Sequence, residues 1–307
     1  MKKIIDVITT IIIFGILIFV IYINKDKFVD IYNAYIAKEI KQDLKDNDYR
    51  KKENYEFVQI NENTTVKSTE DIKNSIYTYL DAGWNTYTFK CDKEYQACET
   101  EIKMMVDNNS YLTEISNFVH PFNTFNKFNT KMSKGGTITI DKVNRYSDDE
   151  ISKINEKVDE IYNANYDKTK TVKENIMIFH DYIVNNTKYD TSYNKNEINN
   201  TSPSSNAYGV LFSGVGICSG YTDAMQLFLE KLNVKNIRIS SSTHEWNLVF
   251  IEGKWKHLDL TWDGPVINEG KEEIVSHDYF LIDTNELLSK KDGEHDFDKD
   301  VYKEALN

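Results

Sequence analysis

From Ile237 to Pro265 the chain reads IRISSSTHEWNLVFIEGKWKHLDLTWDGP. Two runs of apolar, β-branched and aromatic residues flank Glu252 and Gly253, the pattern of a hairpin closed by a two-residue turn. Such a turn sets the register: Ile251 faces Lys254, partner numbers sum to 505, and Trp246 faces Asp259. Side chains two apart share a face, so His244 projects with Trp246 and is a diagonal neighbour of Asp259. A slip of one residue would send imidazole and carboxylate to opposite faces, so the pairing depends on the turn.

The third cysteine lies upstream, in YGVLFSGVGICSGYTDAMQLFLEKL, where Gly209, Gly214, Gly216 and Gly220 surround Cys218. Tyr221, Met225, Phe228, Leu229 and Leu232 form an apolar stripe that predicts a helix, with Cys218 in or just before its first turn. Unpaired N–H groups and the positive end of the helix dipole stabilise a thiolate there. The glycines allow a tight turn and a close approach of backbone to a substrate carbonyl. A cysteine by itself reads as a buried structural residue and a histidine by itself as a satisfied one. Together they read as an activated nucleophile: Cys218 attacks, His244 takes its proton, and Asp259 orients the imidazole. The Cys218 N–H is one candidate oxyanion donor, and Tyr208 or Trp246 could supply a second from a side chain. His180 and His257 read as packing residues. Asp263 competes with Asp259 but sits beside Gly264 and Pro265, where a turn is expected.

These blocks resemble the transglutaminase-like superfamily, in particular its bacterial branch with a papain-like core. The resemblance runs from about Ser147 to Asp283 through FHDYIVNNTKYD, AYGVLFSGVGICSGY, HEWNLVFIEGKWKHLDLTWDGP and HDYFLID. Carried over by position, it implies Cys218 as nucleophile, His244 as base and Asp259 as third member. Relatives often have Ala between the His and Trp of HAWN; here it is Glu245, which alternation turns to the opposite strand face. The resemblance implies an α+β fold, a helix carrying the cysteine packed on an antiparallel sheet. The implied reaction is at an amide or peptide bond through a thioester acyl-enzyme, resolved by water or by an amine. The alternative is a catalytically silent module of the same fold used for surface binding or assembly.

The rest of the chain sets the context. From Ile4 to Ile23 it reads IIDVITTIIIFGILIFVIYI with one internal charge, Asp6, near the roughly 20 apolar residues that a spanning helix needs. Lys2 and Lys3 precede it, and no small-x-small pattern follows it. Residues 1–24 are therefore expected to be an uncleaved anchor, with the amino terminus in the cytoplasm and the remainder outside. Phe28, Tyr32, Ile36, Ile40 and Leu44 recur every fourth residue as a stalk helix, followed by a charged linker to residue 54. Residues 55–146 read as an accessory α+β region, with strands expected over 55–60 and in TITIDKV. The catalytic domain, 147–307, opens on a capping box in which Glu150 follows Ser147 by three, and a second helix carries Val172, Ile176, Phe179 and Ile183. A net charge of -12 argues against a nucleic-acid partner. An exposed location points to surface proteins or cell-wall peptides as substrates. Cys91 and Cys98, in CDKEYQAC, are either a short disulfide or two free thiols. His120, His277 and His295 have no ligand-like spacing, and the acidic residues form no calcium loop, so no metal or other cofactor is expected.

Overall fold

The computed structural model describes residues 42, 44–133, 135–193, 202–264 and 275–307, with a few positions between 15 and 27. The expected membrane span and most of the stalk lie outside these residues. Among the described residues no helix is long and apolar enough to cross a membrane.

The fold is α+β. Its first half has α1 (Thr69–Asp81), α2 (Cys98–Val106) and α3 (Asn109–Ser116) against a sheet ordered β1-β2-β4-β3. The strands are β1 (Thr65–Val66), β2 (Thr86–Cys91), β3 (Phe125–Met132) and β4 (Thr137–Asn144), the last being the alternating TITIDKV segment. Cys91 and Cys98 are joined by a disulfide. The strand expected over residues 55–60 does not form. Side chains take its backbone donors instead: Asn74 accepts from the Gln59 N–H, Thr78 from Asn61 and Asn54 from Ile60, while Tyr55 and Val58 turn into the core. Alternation there reflects an extended, side-chain-anchored segment with no strand beside it.

In the second half, α4 (Asp148–Asn165) and α5 (Val172–Asn186) each begin with a capping box, Ser147 with Glu150 and Thr171 with Glu174. A short parallel pair, β5 (Lys188–Tyr189) and β6 (Val215–Gly216), leads to α6 (Cys218–Lys231). The approach to α6 is tight: a Cβ on Gly209 would lie 2.0 Å from the Pro203 carbonyl oxygen, and Gly214 has φ +61°. The second sheet is ordered β10-β9-β8-β7, from β7 (Asn236–Ser240), β8 (Glu245–Ile251), β9 (Lys254–Leu258) and β10 (Phe280–Ile282), and α7 (Thr284–Ser289) follows. The hairpin has the expected register, from Ile251 opposite Lys254 to Asn247 opposite Leu258. Glu252 and Gly253 both have positive φ, 53° and 79°, as a right-twisting two-residue turn requires.

This sheet is buried on both sides. Val249, Ile251 and Leu258 join a core with Met225 and Phe228 of α6, while Ile237, Trp246, Leu248 and Trp255 join the core of the first half. The segment expected as a linker is packed between the halves. The Arg50 guanidinium meets Asp46 and Asp81, and Lys51 Nζ reaches Glu230 at 2.6 Å and the Asn236 carbonyl at 2.9 Å.

A buried ion network ties α6 to β7. Asp223, fully buried, accepts from Arg238 Nη1 at 3.0 Å and from the Tyr146 hydroxyl at 2.5 Å, and Arg238 also donates to the Ser116 carbonyl. Removing Asp223 leaves the buried Arg238 with only Glu245, 3.9 Å from its Nε, at a cost of about 3–5 kcal/mol. Asp223→Ala is therefore expected to lose about 3–5 kcal/mol in urea denaturation with an unchanged slope. A loss below about 1 kcal/mol would mean that Arg238 finds other compensation.

Candidate active site

Cys218 opens α6, and no side chain caps that helix. Its N-terminal turn is held to the start of β8 by two bonds: Thr222 Oγ1 donates to the Glu245 carbonyl at 3.0 Å, and Asn247 Nδ2 donates to the Thr222 carbonyl at 3.1 Å. His244, one residue before β8, is fixed by a tight loop in which Ser241 N donates to the His244 carbonyl and Ser241 Oγ accepts from His244 N. The thiol and imidazole are therefore brought together by a helix start and a strand start clasped to one another. Cys218 and His244 line the same cleft, and the thiol is among the groups that raise the imidazole.

The other side of the ring meets Asp259, with 2.5 Å between His244 Nε2 and Asp259 Oδ2. Asp259 is 2% exposed and lies one residue past β9. Its Oδ1 accepts from the Thr261 N–H at 2.9 Å, the Thr261 hydroxyl at 2.6 Å and the Trp262 N–H at 3.3 Å. With Nε2 committed to Asp259, Nδ1 is the ring nitrogen left for the thiol. Trp246 stacks on the imidazole with ring centroids 5.6 Å apart.

Burial opposes charge at both groups. For Asp259 that cost is overcome by the His244 charge and by bonds from His244, His295 and Thr261, which hold the carboxyl well below its usual range. For His244 it is overcome by the Asp259 charge and bond and by Cys218, and the imidazole is raised to about 10. An imidazole this basic is a ready acceptor for a thiol proton.

His295 lies here as well, although spacing gave no reason to place it near the other two. Its Nε2 is 2.9 Å from the same Asp259 Oδ2, and its Nδ1 is 2.9 Å from Asp292 Oδ2. The ring is 3% exposed, stacked on Tyr279 at 5.0 Å and edge-on to Trp246 at 4.7 Å. No local sequence pattern marks it, because the carboxyl-terminal segment reaches Asp259 only through the fold. The ligand-type atoms of the buried His244, Asp259 and His295 also lie within 4.8 Å of one another.

Several expectations are revised. Trp246 cannot spare its N–H for an oxyanion, since Nε1 donates to His257 Nδ1 at 2.9 Å. His257 is neutral between Trp246 and Thr284, and burial, with the nearby His295, depresses it to about 3. Tyr208 stacks on Phe212 at 4.5 Å and is not among the cleft residues around Cys218. Tyr189 instead lines the cleft with Cys218, and burial followed by the Cys218 charge raises it to about 12. Asp263 is bonded to His180 Nε2 and to the Tyr279 N–H, away from His244. Glu245 turns to the opposite face, 3.9 Å from Arg238 Nε, and lines the cleft wall.

The cleft holding Cys218 and His244 has a volume of about 580 Å³ and is open to solvent. Its walls include Ser240, Ser241, Ser242 and Thr243, with Glu114, Glu245, Asp296 and Asp298 as the charged members besides His244. No lysine or arginine lines it among the described residues.

No family model and no curated protein matches the chain. Two solved structures are similar in part. One is the crystal structure of a TGase, 14% identical over 48% of this chain and 46% of that one, with a TM-score of 0.34. The other is a candidate cysteine protease from Cytophaga hutchinsonii, 13% identical over 45% of this chain and 63% of that one, with a TM-score of 0.28. The chain thus spans less than two thirds of either protein's length.

The pH dependence follows from the raised imidazole. Its folded value, about 10, exceeds the ordinary 6.5, so His244 contributes stability that is fully present below pH 6.5 and lost as pH rises through about 10. Any step that needs the imidazolium falls away over the same range. In His295→Gln, Asp259 Oδ2 is left to His244 alone, and the alkaline limb of Cys218 reactivity toward a thiol alkylator should move to higher pH. In Asp259→Asn it should move below that of the parent. A His295→Gln profile superimposable on the parent would show that the second imidazole has no influence on the first.

Proposed function

We propose that the chain is a thiol enzyme with a papain-like, transglutaminase-type core, acting on carboxamide or peptide carbonyls. One observation supports this most directly: Cys218 and His244 share an open cleft, and the far side of the imidazole is hydrogen-bonded to a buried, ionised Asp259. His244 takes the thiol proton and the sulfur attacks the carbonyl carbon, so an S–C bond forms. The carbonyl oxygen becomes an oxyanion at the start of α6, where the Cys218 N–H and the Tyr189 hydroxyl are the candidate donors. The C–N bond then breaks, and the amine leaves with the proton from His244. Water or a second amine, deprotonated by the same imidazole, resolves the thioester.

The cleft walls favour cationic substrates. Glu114, Asp296 and Asp298, with no lysine or arginine in the described cleft lining, attract a segment that carries ammonium or guanidinium groups near the reacting carbonyl. An amine acceptor would be drawn by the same field. The residues 4–23 as an anchor and the Cys91–Cys98 disulfide fit the outer face of a membrane, with surface proteins or cell-wall peptides as substrates.

The test is to offer the full chain glutamine-containing and lysine-rich peptides, with and without a primary amine, and to compare product masses. Cleavage or deamidation without an adduct identifies a hydrolase, and an amine adduct identifies a transferase. Cys218→Ala should abolish either product, and Asp259→Asn should lower the rate about 10²- to 10⁴-fold. If no product forms and Cys218 alkylates no faster at pH 7 than a small free thiol, the enzyme reading fails and a binding module takes its place.

A further inference from the structure

A second convergence of side chains lies on α5, outside the Cys218 cleft. His180 is fully buried, and its Nδ1 is 2.8 Å from Asp181 Oδ1. His277 approaches from 96 positions further along the chain and sets its Nε2 2.8 Å from the same oxygen. The far side of the His180 ring meets Asp263 Oδ2 at 3.2 Å. Asp263 is also fully buried and is steadied by the Tyr279 N–H at 2.9 Å.

Counting donors shows what is missing. His180 has a carboxylate at each ring nitrogen, yet a neutral imidazole carries one N–H. Asp181 Oδ1 in turn faces two imidazole nitrogens. Among the described residues no lysine or arginine pairs with Asp181 or Asp263. If His180 donates its Nε2–H to Asp263, its Nδ1 faces Asp181, and that contact takes a positive centre between them, either a second ring proton or a metal ion. A buried carboxylate behind an imidazole whose free nitrogen meets a second imidazole and an aspartate is the arrangement that supports a metal ligand from behind.

We propose that His180 Nδ1, His277 Nε2 and an Asp181 carboxylate oxygen bind a divalent transition-metal ion of borderline softness, Zn²⁺ being the best fit. These three ligand atoms lie within 4.8 Å of one another. Tetrahedral zinc, with bonds of about 2.0–2.2 Å, needs its ligands roughly 3.3 Å apart, so the 2.8 Å contacts must open by about half an ångström. Asp181 and His277 are 38% and 39% exposed in their side chains and are free to give that distance. Two imidazoles disfavour calcium and magnesium. The open face leaves a fourth position for water. The ion would brace α5 against the segment before β10 and, through Asp263, the turn that begins at Asp259, whose carbonyl accepts from the Asp263 N–H at 3.3 Å.

The test uses the tag-free full chain, stripped with a chelator and titrated with Zn²⁺ by calorimetry, with Co²⁺ as a spectroscopic probe. One equivalent should bind, the Co²⁺ complex should show the intense visible bands of a low-coordinate nitrogen and oxygen site, and thermal unfolding should shift upward. His277→Ala and Asp181→Asn should each weaken binding at least about tenfold, while Cys218 alkylation at the parental rate shows that both variants are folded. Cys218→Ala should bind the ion unchanged, which separates this site from the proposed catalysis. No binding by the parent overturns the proposal. So does binding that survives His277→Ala, particularly if His295→Gln abolishes it, since that assigns the ion to the buried group around Asp259.

Discussion

The carboxylate of Asp259 is the joint on which the candidate site turns. It is buried and ionised, a state that survives only because five donors converge on it: His244, His295, the Thr261 hydroxyl and two backbone N–H groups. Those donors come from the start of β8, the turn after β9 and the carboxyl-terminal segment. Satisfying one charge therefore fixes three pieces of chain against each other. The same bonds orient the His244 ring, so the stability of the region and the chemistry proposed for it draw on one set of contacts.

A second constraint acts from the other side of the sheet. Thr222 and Asn247 clasp α6 to β8, and the Asp223–Arg238 pair clasps α6 to β7. The helix that carries the thiol is thus fixed by bonds to polar groups as well as by Met225 and Phe228. A sulfur and an imidazole presented by separate elements need such stiffness, because a proton passes between them only at hydrogen-bond distance.

The two halves of the chain share this framework. The sheet that holds the hairpin is covered on one face by α6 and on the other by the core of the first half, and Lys51 bridges across by meeting Glu230 and the Asn236 carbonyl. The first half therefore supplies one wall of the environment of Trp246 and Leu248, and it lends Ser110, Thr113 and Glu114 to the cleft.

Local rules were enough for part of this. The Glu252–Gly253 turn, the alternation along β8 and β9, the capping boxes at Ser147 and Thr171 and the glycine-framed start of α6 were legible because each depends on contacts within a few residues or on a period of two or 3.6. From them followed the hairpin register and the meeting of His244 with Asp259. Residues 55–60 misled because an alternating segment can give its N–H groups to side chains as readily as to a neighbouring strand. Tyr189 at the cleft, His295 on Asp259, His257 on the Trp246 N–H and the His180–Asp181–His277 group were decided only by tertiary structure. Each joins residues whose separation along the chain carries no periodic signal, and whose meeting depends on how complete layers pack.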